Sequence, residues 1–359
     1  MKNGKLNLIK KLSGRFYLGN KNLILTGLGK NLKPRWIWFG VTDKCNSHCT
    51  HCNIWKQAPA ANPLTLEEIK KVFSDPLLSE VETIINSGGE AILRSDIVKI
   101  IKLEHKIFPK ASLDLSTNGI SADRMLKVVQ EIMDENIKIN VGISLDGIGE
   151  VHDKVRGVPG NFEKVDYLVN KLLGIRNKYP DQLSLVVGLT LSDLTLDEWR
   201  KVKEYADEKD IGSVMHWYNQ SSFYKNDKAD IKNNNDKMIA AVGTQENTII
   251  REKWLKLLKG EPIKFRCFAA SSFFVLRCDG NIAPCLTYWD SILGNVREHT
   301  PSEIWRSEQA KKIRQEIKRC AGCLNTWGVE WSITTSFYPR LMFYLRNLKA
   351  VAERLKRHD

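Results

Sequence analysis

The hydrophobic and polar positions of this chain alternate between short β-rich runs and longer amphipathic segments over its first two thirds. Runs of β-branched and aromatic residues predict six strands. These strands are Trp36–Val41, Glu82–Ser87, Ser112–Ser116, Lys138–Leu145, Leu183–Leu191 and Ser213–Tyr218. Because helical segments separate them, the pattern predicts an α/β fold in which six strand–helix units form a partial (β/α)6 parallel barrel. Such a sheet carries its chemistry on the loops at the carboxyl ends of its strands.

Several of the intervening helices have recognisable start patterns. Thr65 and Thr195 each stand three residues before a glutamate, Glu68 and Glu198, which predicts a capping box at both positions. Another helix is predicted to open near Asn161, with apolar residues at helical spacing through Leu173.

The alternation ends near residue 240, and a smaller unit follows. Residues 271–285 predict a hairpin, because Asp279-Gly280 forms a favoured two-residue turn between apolar runs. The expected organisation is a basic arm over 1–35, the barrel over 36–240 and a small hairpin-plus-helix domain over 241–335. Residues 336–359 then form a basic amphipathic helix after Pro339.

Charge and cysteine content narrow the class of protein. The chain has 359 residues and a formal net charge of +13, and Met1 to Arg35 contains no acidic residue. No apolar stretch reaches the length of a bilayer span, and the longest near the N-terminus is too short for a signal peptide. Eight cysteines without an export signal predict metal ligation in the reducing cytoplasm rather than disulfides. The basic arm is typical of a solvated surface, and an anionic partner is the alternative.

Three of these cysteines, Cys45, Cys49 and Cys52, follow the first predicted strand directly. Three thiolates can hold three irons of a 4Fe–4S cluster and leave the fourth iron open for chemistry, whereas an electron-transfer cluster uses four cysteines. A zinc knuckle is the alternative, with His48 or His51 as the fourth ligand. A disulfide framework is disfavoured by the length of the chain and by the missing secretory signal.

Glycine-containing polar loops follow the next three predicted strands. They read Gly88-Gly-Glu90, Ser116-Thr-Asn-Gly119 and Ser144-Leu-Asp-Gly147. Together with the C-x3-C-x2-C spacing of the cysteines, this ordered set resembles the radical S-adenosylmethionine (SAM) superfamily. The resemblance implies an open 4Fe–4S cluster that binds SAM and cleaves it reductively. It also implies that the resulting 5′-deoxyadenosyl radical abstracts hydrogen from a substrate.

The same resemblance implies a set of cofactor-binding residues. The Gly-Gly-Glu turn would hold the amino group of SAM, with its glycines allowing the backbone to approach the ligand closely. Ala91 stands where the family usually has proline, which leaves the backbone acceptors in place. Arg156 would pair with a carboxylate of the cofactor or substrate; an arginine that ties a loop to a helix start is the alternative. The implied residues are Gly88, Gly89, Glu90, Ser116, Thr117, Asn118, Ser144, Asp146 and Arg156.

A second set of cysteines lies in the C-terminal third. Cys267 and Cys285 flank the predicted hairpin, and Cys320-Ala-Gly-Cys323 follows a helical segment. This arrangement resembles the Twitch or SPASM extension of radical SAM enzymes, and because no cysteine follows Cys323, the one-cluster Twitch version fits. Four thiolates form a closed ligand set for one auxiliary 4Fe–4S cluster, with a zinc ribbon as the alternative. Cys278 is expected to be a small structural residue.

The sequence says less about the substrate. In the formylglycine-forming relatives an aspartate acts as base at the position of Leu286, and about thirty-five N-terminal residues are too few for a packed leader-peptide domain. We therefore expect a small or carrier-linked substrate, sugar- or phosphate-bearing in view of the positive charge, and a net oxidation; a peptide maturase is the alternative. No catalytic residue is assigned. His216, Trp217 and Tyr218, at the end of the sixth strand, are pocket candidates, with a core role for Trp217 as the alternative.

Two partners are expected besides the substrate, namely SAM and a reducing protein such as ferredoxin or flavodoxin. For the basic C-terminal helix, packing on the barrel is the default expectation, and contact with an anionic membrane surface is the alternative. The rival class, a non-catalytic iron–sulfur or zinc protein that binds nucleic acid, is disfavoured because the basic residues show no interleaved aromatic residues.

Overall fold

The computed structural model describes residues 32–218, 221–226, 235–243, 249–261, 266–320 and 325–336. Three predictions lie outside these residues: most of the basic arm over 1–35, the ligand role of Cys323 and the amphipathic helix after Pro339. Within the described ranges, no helix is both long enough and apolar enough to cross a membrane.

The described residues form a single sheet in the strand order β6-β5-β4-β3-β2-β1-β7-β8-β9. The strands are β1 Trp36–Thr42, β2 Thr83–Gly88, β3 Ser112–Thr117, β4 Ile139–Ser144, β5 Leu183–Leu191, β6 Gly212–Trp217, β7 Phe273–Leu276, β8 Asn281–Ala283 and β9 Gly294–Asn295. The first six strands pair in parallel, and β6 remains at an open edge. The predicted α/β fold with an unclosed parallel barrel is therefore confirmed, and each predicted strand end lies within one residue of the observed one.

The C-terminal hairpin extends the barrel sheet, which the sequence pattern did not indicate. β7 pairs in parallel with β1, so that Trp36 lies opposite Phe273 and Phe39 lies opposite Leu276. β8 then pairs antiparallel with β7 around the predicted Asp279-Gly280 turn. Because β1 is covered on both edges, all of its residues are buried. The hairpin is thereby fixed relative to the cysteine loop that follows β1.

Helices follow most of the barrel strands, and further helices come after β6. They are α1 Leu66–Phe73, α2 Ile97–Ile107, α3 Ala122–Asp134, α4 Glu150–Arg156, α5 Asn161–Lys178, α6 Trp199–Glu208, α7 Asn235–Gly243, α8 Ile249–Leu258, α9 Pro301–Arg306, α10 Glu308–Ile317 and α11 Thr326–Thr335. The helix predicted from Asn161 is present, and it runs past Leu173.

One of the two predicted capping boxes is correct. At the start of α1, the N–H of Glu68 donates to Thr65 Oγ1 at 3.2 Å and the N–H of Thr65 donates to the Glu68 carboxylate at 2.7 Å. The second prediction is wrong, because the Thr195 hydroxyl donates to the carbonyl oxygen of Thr190 at 2.6 Å and closes the turn after β5. α6 instead begins after Glu198, whose carboxylate accepts the N–H of Ile148 at 3.0 Å and caps no main-chain N–H of its own helix.

Candidate active site

A cavity of about 220 Å³ opens at the carboxyl ends of the parallel strands, where barrels of this type place their chemistry. Its wall combines the loop after β1, the ends of β2 to β6 and the first turn of α11. Among the residues that line it are Cys45, Cys49, Cys52, Gly88, Gly89, Glu90, Ser116, Thr117, Asn118, Ser144, Arg156, His216, Trp217 and Tyr218. Apart from Asp146, every residue suggested for SAM binding therefore lies on one cavity wall.

Cys45, Cys49 and Cys52 face this cavity from the loop after β1. The Sγ of Cys49 lies 3.0 Å from Ser47 Oγ and accepts a hydrogen bond from Arg156 Nη1 at 3.7 Å. Burial raises the pKa of Cys45 to about 11 and that of Cys52 to about 12. Both thiols are consequently protonated without a metal, so iron binding must release their protons.

The cysteine loop is held against α4 by main-chain contacts. The N–H of His48 donates to the carbonyl oxygen of Arg156 at 3.0 Å, and that of Thr50 donates to Val155 at 2.8 Å. Gly157 has φ +65°, and a Cβ there would lie 2.4 Å from the carbonyl oxygen of His48. Because only glycine allows this approach, the Arg-Gly pair at the end of α4 fixes the position of the loop.

The Gly-Gly-Glu turn packs against the other side of the cysteine loop. A Cβ at Gly88 would lie 2.2 Å from the carbonyl oxygen of Thr42, and one at Gly89 would lie 2.3 Å from that of Lys44. The N–H of Gly89 donates to Thr42 at 2.8 Å and that of Glu90 donates to Lys44 at 2.7 Å. Glycine is thus needed at both positions because two backbone segments pack closely there. The predicted reason was a close approach of the backbone to a ligand.

Glu90 presents a buried carboxylate to the cavity. Its Oε2 accepts the N–H of Asn118 at 2.7 Å, whereas Oε1 has no hydrogen-bond partner among the described residues. Burial raises the pKa of Glu90 to about 7, against the opposing effect of its hydrogen bonds from Asn118 and Thr117. A cationic amino group beside Oε1 would satisfy this atom and favour the ionised carboxylate.

Asp146, suggested as a cofactor contact, lies behind the cavity wall. Its Oδ2 lies 2.7 Å from Arg156 Nε, and its Oδ1 accepts the N–H of Thr190 at 2.7 Å. Burial alone would raise the pKa of Asp146, but the charge of Arg156 holds it below its ordinary value. Asp146 therefore acts through Arg156, whose guanidinium reaches Cys49.

Two buried residues, His152 and Asn161, connect the turns of this site. Neither was among the predicted site residues. His152 Nδ1 accepts the N–H of Asp146 at 3.0 Å, and its Nε2 lies 2.9 Å from the side-chain amide of Asn161. That amide also donates to the carbonyl oxygen of Asn118 at 3.4 Å, and the Asn118 amide donates to Asn46 Oδ1 at 2.9 Å. One hydrogen-bond network thus joins the ends of β3 and β4 to the cysteine loop.

The far end of the cavity has aromatic walls from β6 and α11. The ring of His216 stacks on Trp327 with centroids 5.2 Å apart, and Trp217 meets Trp254 edge to face at 5.2 Å. His216, Trp217 and Tyr218 all line the cavity. Trp217 is 4% exposed and belongs to the hydrophobic core as well, so the pocket and core interpretations of this residue both hold.

A second, smaller cavity lies in the C-terminal region and brings together Cys267, Cys285 and Cys320. The N–H of Ala269 donates to Cys267 Sγ at 3.5 Å, and that of Tyr288 donates to Cys285 Sγ at 3.3 Å. Backbone donors of this kind stabilise thiolates that ligate iron–sulfur clusters. Three of the four proposed auxiliary ligands therefore meet around one space.

Asn325 lines both cavities. It caps the start of α11, where its Oδ1 accepts the N–H of Gly328 at 3.1 Å. Leu286, the residue after Cys285, also lines the main cavity. The two cavities are consequently separated by a single residue at Asn325.

Cys278 lines neither cavity. It is 2% exposed, and its carbonyl oxygen accepts the N–H of Leu64 at 2.7 Å. This position agrees with the expected structural role.

Comparisons with known families agree with this geometry. Residues 40–211 match the model of the radical SAM superfamily, and residues 267–324 match that of the SPASM iron–sulfur cluster-binding domain. The two matched ranges contain the two cysteine sets, whose described members line the two cavities.

Individual proteins resemble the chain over most of its length. An AdoMet-dependent heme synthase of Methanosarcina barkeri is 24% identical over 81% of this chain and 91% of that protein. An Fe-coproporphyrin III synthase of the same organism is 25% identical over 83% of this chain and 82% of that protein. A solved structure of anSMEcpe with AdoMet and a peptide has a TM-score of 0.59 and 17% identity, covering 91% of this chain and 100% of that one. This last likeness shows a shared fold.

Proposed function

Because the chain belongs to the radical SAM superfamily and carries a SPASM iron–sulfur domain, we propose that it oxidises a small or carrier-linked substrate by hydrogen abstraction. The cofactors of the two domains are a 4Fe–4S cluster, SAM and auxiliary iron–sulfur ligation. The observation that carries the proposal is the adjacency of the two cysteine-bordered cavities through Asn325.

The residues at the cysteine end fit the cluster and SAM. Cys45, Cys49 and Cys52 are the three thiols on this wall, and Glu90 Oε1 is a buried acceptor without a partner in the described ranges. We assign the thiols to the cluster and Glu90 to the amino group of SAM. When bound, the reduced cluster supplies the electron that cleaves SAM to a 5′-deoxyadenosyl radical.

The chain's own residues orient and shield this chemistry. The Gly-Gly-Glu turn and α4 clamp the cysteine loop from two sides, and Arg156 places a positive charge on Cys49. The aromatic side chains of Trp217 and Trp327 line the far end, where they would limit the access of water to a reactive radical.

The auxiliary cavity supports a net oxidation. Loss of a hydrogen atom leaves a substrate radical. This radical must give up one further electron and one proton to become the oxidised product. We assign Cys267, Cys285 and Cys320, which line the second cavity, together with Cys323 to one auxiliary 4Fe–4S cluster, which would accept that electron. The electron for SAM cleavage would come from a ferredoxin or flavodoxin.

A tetrapyrrole is a second candidate substrate. The two Methanosarcina barkeri proteins, named for heme and Fe-coproporphyrin III synthesis, resemble the chain over more than four fifths of its length. A peptide remains the alternative from the sequence; the peptide in the anSMEcpe structure belongs to a protein that shares the fold at 17% identity.

Anaerobic reconstitution tests the proposal. The reconstituted protein should contain about eight irons and eight sulfides per chain, as two cubane clusters require. With dithionite and SAM it should release 5′-deoxyadenosine. Zinc without sulfide, or no 5′-deoxyadenosine from a fully loaded protein, would contradict it.

A further inference from the structure

Three buried polar groups at the aromatic end of the main cavity have no hydrogen-bond partner among the described residues. They are His216 Nδ1, Trp217 Nε1 and Thr326 Oγ1. His216 and Trp217 are consecutive on β6, and Trp327, next to Thr326 on α11, stacks on the His216 ring. All three residues line the cavity, and Thr326 is 7% exposed.

Such groups are uncommon in folded proteins, because a buried polar atom without a partner is destabilising. Here all three belong to residues that line the main cavity, and none belongs to the cysteine loop or to the Gly-Gly-Glu turn. A ligand with matching polar atoms would complete their hydrogen bonds. This clustering separates a substrate end from the cofactor end of the same cavity.

The substrate end also lacks a free positive charge within the described part of the chain. Arg156 is the lone lysine or arginine on the described wall, and it is engaged by Asp146 and Cys49. The His216 ring at this end is neutral, since burial lowers its pKa to about 4. A carboxylate or phosphate buried here would find no free counter-charge among the described residues of the wall.

We propose that the substrate group entering this end is a neutral amide or hydroxyl-bearing group, bound by His216, Trp217 and Thr326. The proposal rests on the function proposed above and narrows its substrate class. An indole N–H can only donate, whereas a threonine hydroxyl can donate or accept. An amide offers both a carbonyl acceptor and N–H donors to this set, whereas a carboxylate offers acceptors alone.

A matched pair of probes separates the two chemistries. Benzamide and benzoate share one shape and an aromatic ring suited to these walls, but only benzoate is charged. Binding of each is measured by saturation-transfer NMR on the reconstituted protein with saturating SAM, so that the cofactor end is already occupied. Thr326→Val removes the hydroxyl, and Thr326→Ser keeps it as the matched control.

We expect benzamide to bind about tenfold more tightly than benzoate, because the site leaves an anion unpaired. Thr326→Val and Trp217→Phe should each lower the affinity for benzamide several-fold. Thr326→Ser, which keeps the hydroxyl, should retain the wild-type affinity. Equal or tighter binding of benzoate, as a tetrapyrrole carboxylate would require, overturns the proposal. So does a Thr326→Val variant that matches Thr326→Ser, or binding of neither probe.

The function itself has a separate readout. Release of 5′-deoxyadenosine with dithionite and SAM needs no substrate probe. Preferential binding of benzamide without release of 5′-deoxyadenosine would contradict the proposed function but support the assignment of the substrate end. Release of 5′-deoxyadenosine without preferential binding of benzamide would support the proposed function and contradict the assignment of the substrate end.

Discussion

The two ends of the main cavity are built in opposite ways. At the cysteine end, polar side chains bind one another, with Glu90 Oε1 as the exception: Asn118 contacts Glu90 and Asn46, and Asp146 contacts Arg156. At the aromatic end, polar atoms of three residues have no partner in the described ranges. These atoms belong to His216, Trp217 and Thr326.

This contrast teaches that the reaction and its substrate are specified by different kinds of structure. The cysteine end is pre-organised by protein–protein hydrogen bonds, so it is in place before any cofactor binds. The polar atoms of the aromatic end have no partner among the described residues, and on our proposal a substrate group satisfies them. The chemistry should therefore be sensitive to loss of the network, and substrate selection to loss of individual polar atoms.

Removing the thiols of the cysteine end should have the largest effect. Cys45, Cys49 and Cys52 changed together to alanine should abolish 5′-deoxyadenosine release and lower iron from about eight to about four per chain. Cys278→Ala is the matched control, because this buried cysteine lines neither cavity. Iron analysis and product chromatography measure both effects; full iron in the triple variant would refute the assignment.

Breaking the buried ion pair should come next. Arg156→Gln leaves the Asp146 carboxylate buried without its cation, which should lower the free energy of unfolding by about 3–5 kcal/mol. Asp146→Asn added to Arg156→Gln should recover part of this loss, since the two residues are coupled.

An ion pair at the protein surface provides the control for the buried pair. Arg176→Gln removes an ion pair with the exposed Asp210 and should cost at most about 1 kcal/mol. Urea denaturation of the reconstituted proteins measures all of these values. Equal losses for Arg156→Gln and Arg176→Gln would show that the network does not hold the cysteine end.

Crowding the contact between the two backbone segments should have a smaller effect on stability. Gly89→Ala places a methyl group against the carbonyl oxygen of Lys44 and should destabilise the protein by about 1–3 kcal/mol. It should also lower iron loading at the first cluster. Gly174→Ala, in α5 where nothing lies within 4 Å of the added Cβ, should be neutral or stabilising. Matching melting temperatures for the two variants would contradict this account of the turn.

The smallest expected effect concerns pH and SAM affinity. Burial raises the pKa of Glu90 from its ordinary 4.5 to about 7. Its carboxylate therefore becomes charged as pH rises through that value, and SAM should bind up to about tenfold more tightly at pH 8 than at pH 6. Glu90→Gln should weaken binding and flatten this dependence, as measured by equilibrium dialysis.

Glu104→Gln provides the matched control for this pH effect. Glu104 is another buried acid, whose pKa burial raises to about 8, and it bonds to Asn86 instead of lining the cavity. The variant should keep the pH dependence of SAM affinity. Parallel profiles for wild type and Glu90→Gln would remove Glu90 from the SAM site.

Much of the cofactor end was predictable because its residues lie in short local motifs. Each motif follows one strand, and parallel strands bring their carboxyl ends to one edge. These motifs do not distinguish a residue that lines the cavity from a residue that holds a lining residue in place. Asp146 was suggested as a ligand contact, yet its carboxylate is used by Arg156 and Thr190.

The aromatic end was only partly predictable. His216 and Trp217 were found because they end a strand, but Thr326 and Asn325 come from α11, which reaches the cavity through tertiary packing. No local pattern in the sequence indicates that contact. The failed capping box at Thr195 has a similar cause, since a tertiary turn competes for its hydroxyl.

The most direct test of the account compares the two cysteine sets by electron paramagnetic resonance. A variant with Cys267, Cys285 and Cys320 changed to alanine is reduced with dithionite, and spectra are recorded with and without SAM. We predict one reduced 4Fe–4S signal that shifts when SAM is added, because the fourth iron has no cysteine ligand. A signal that SAM leaves unchanged would contradict the claim that the loop after β1 holds an open cluster.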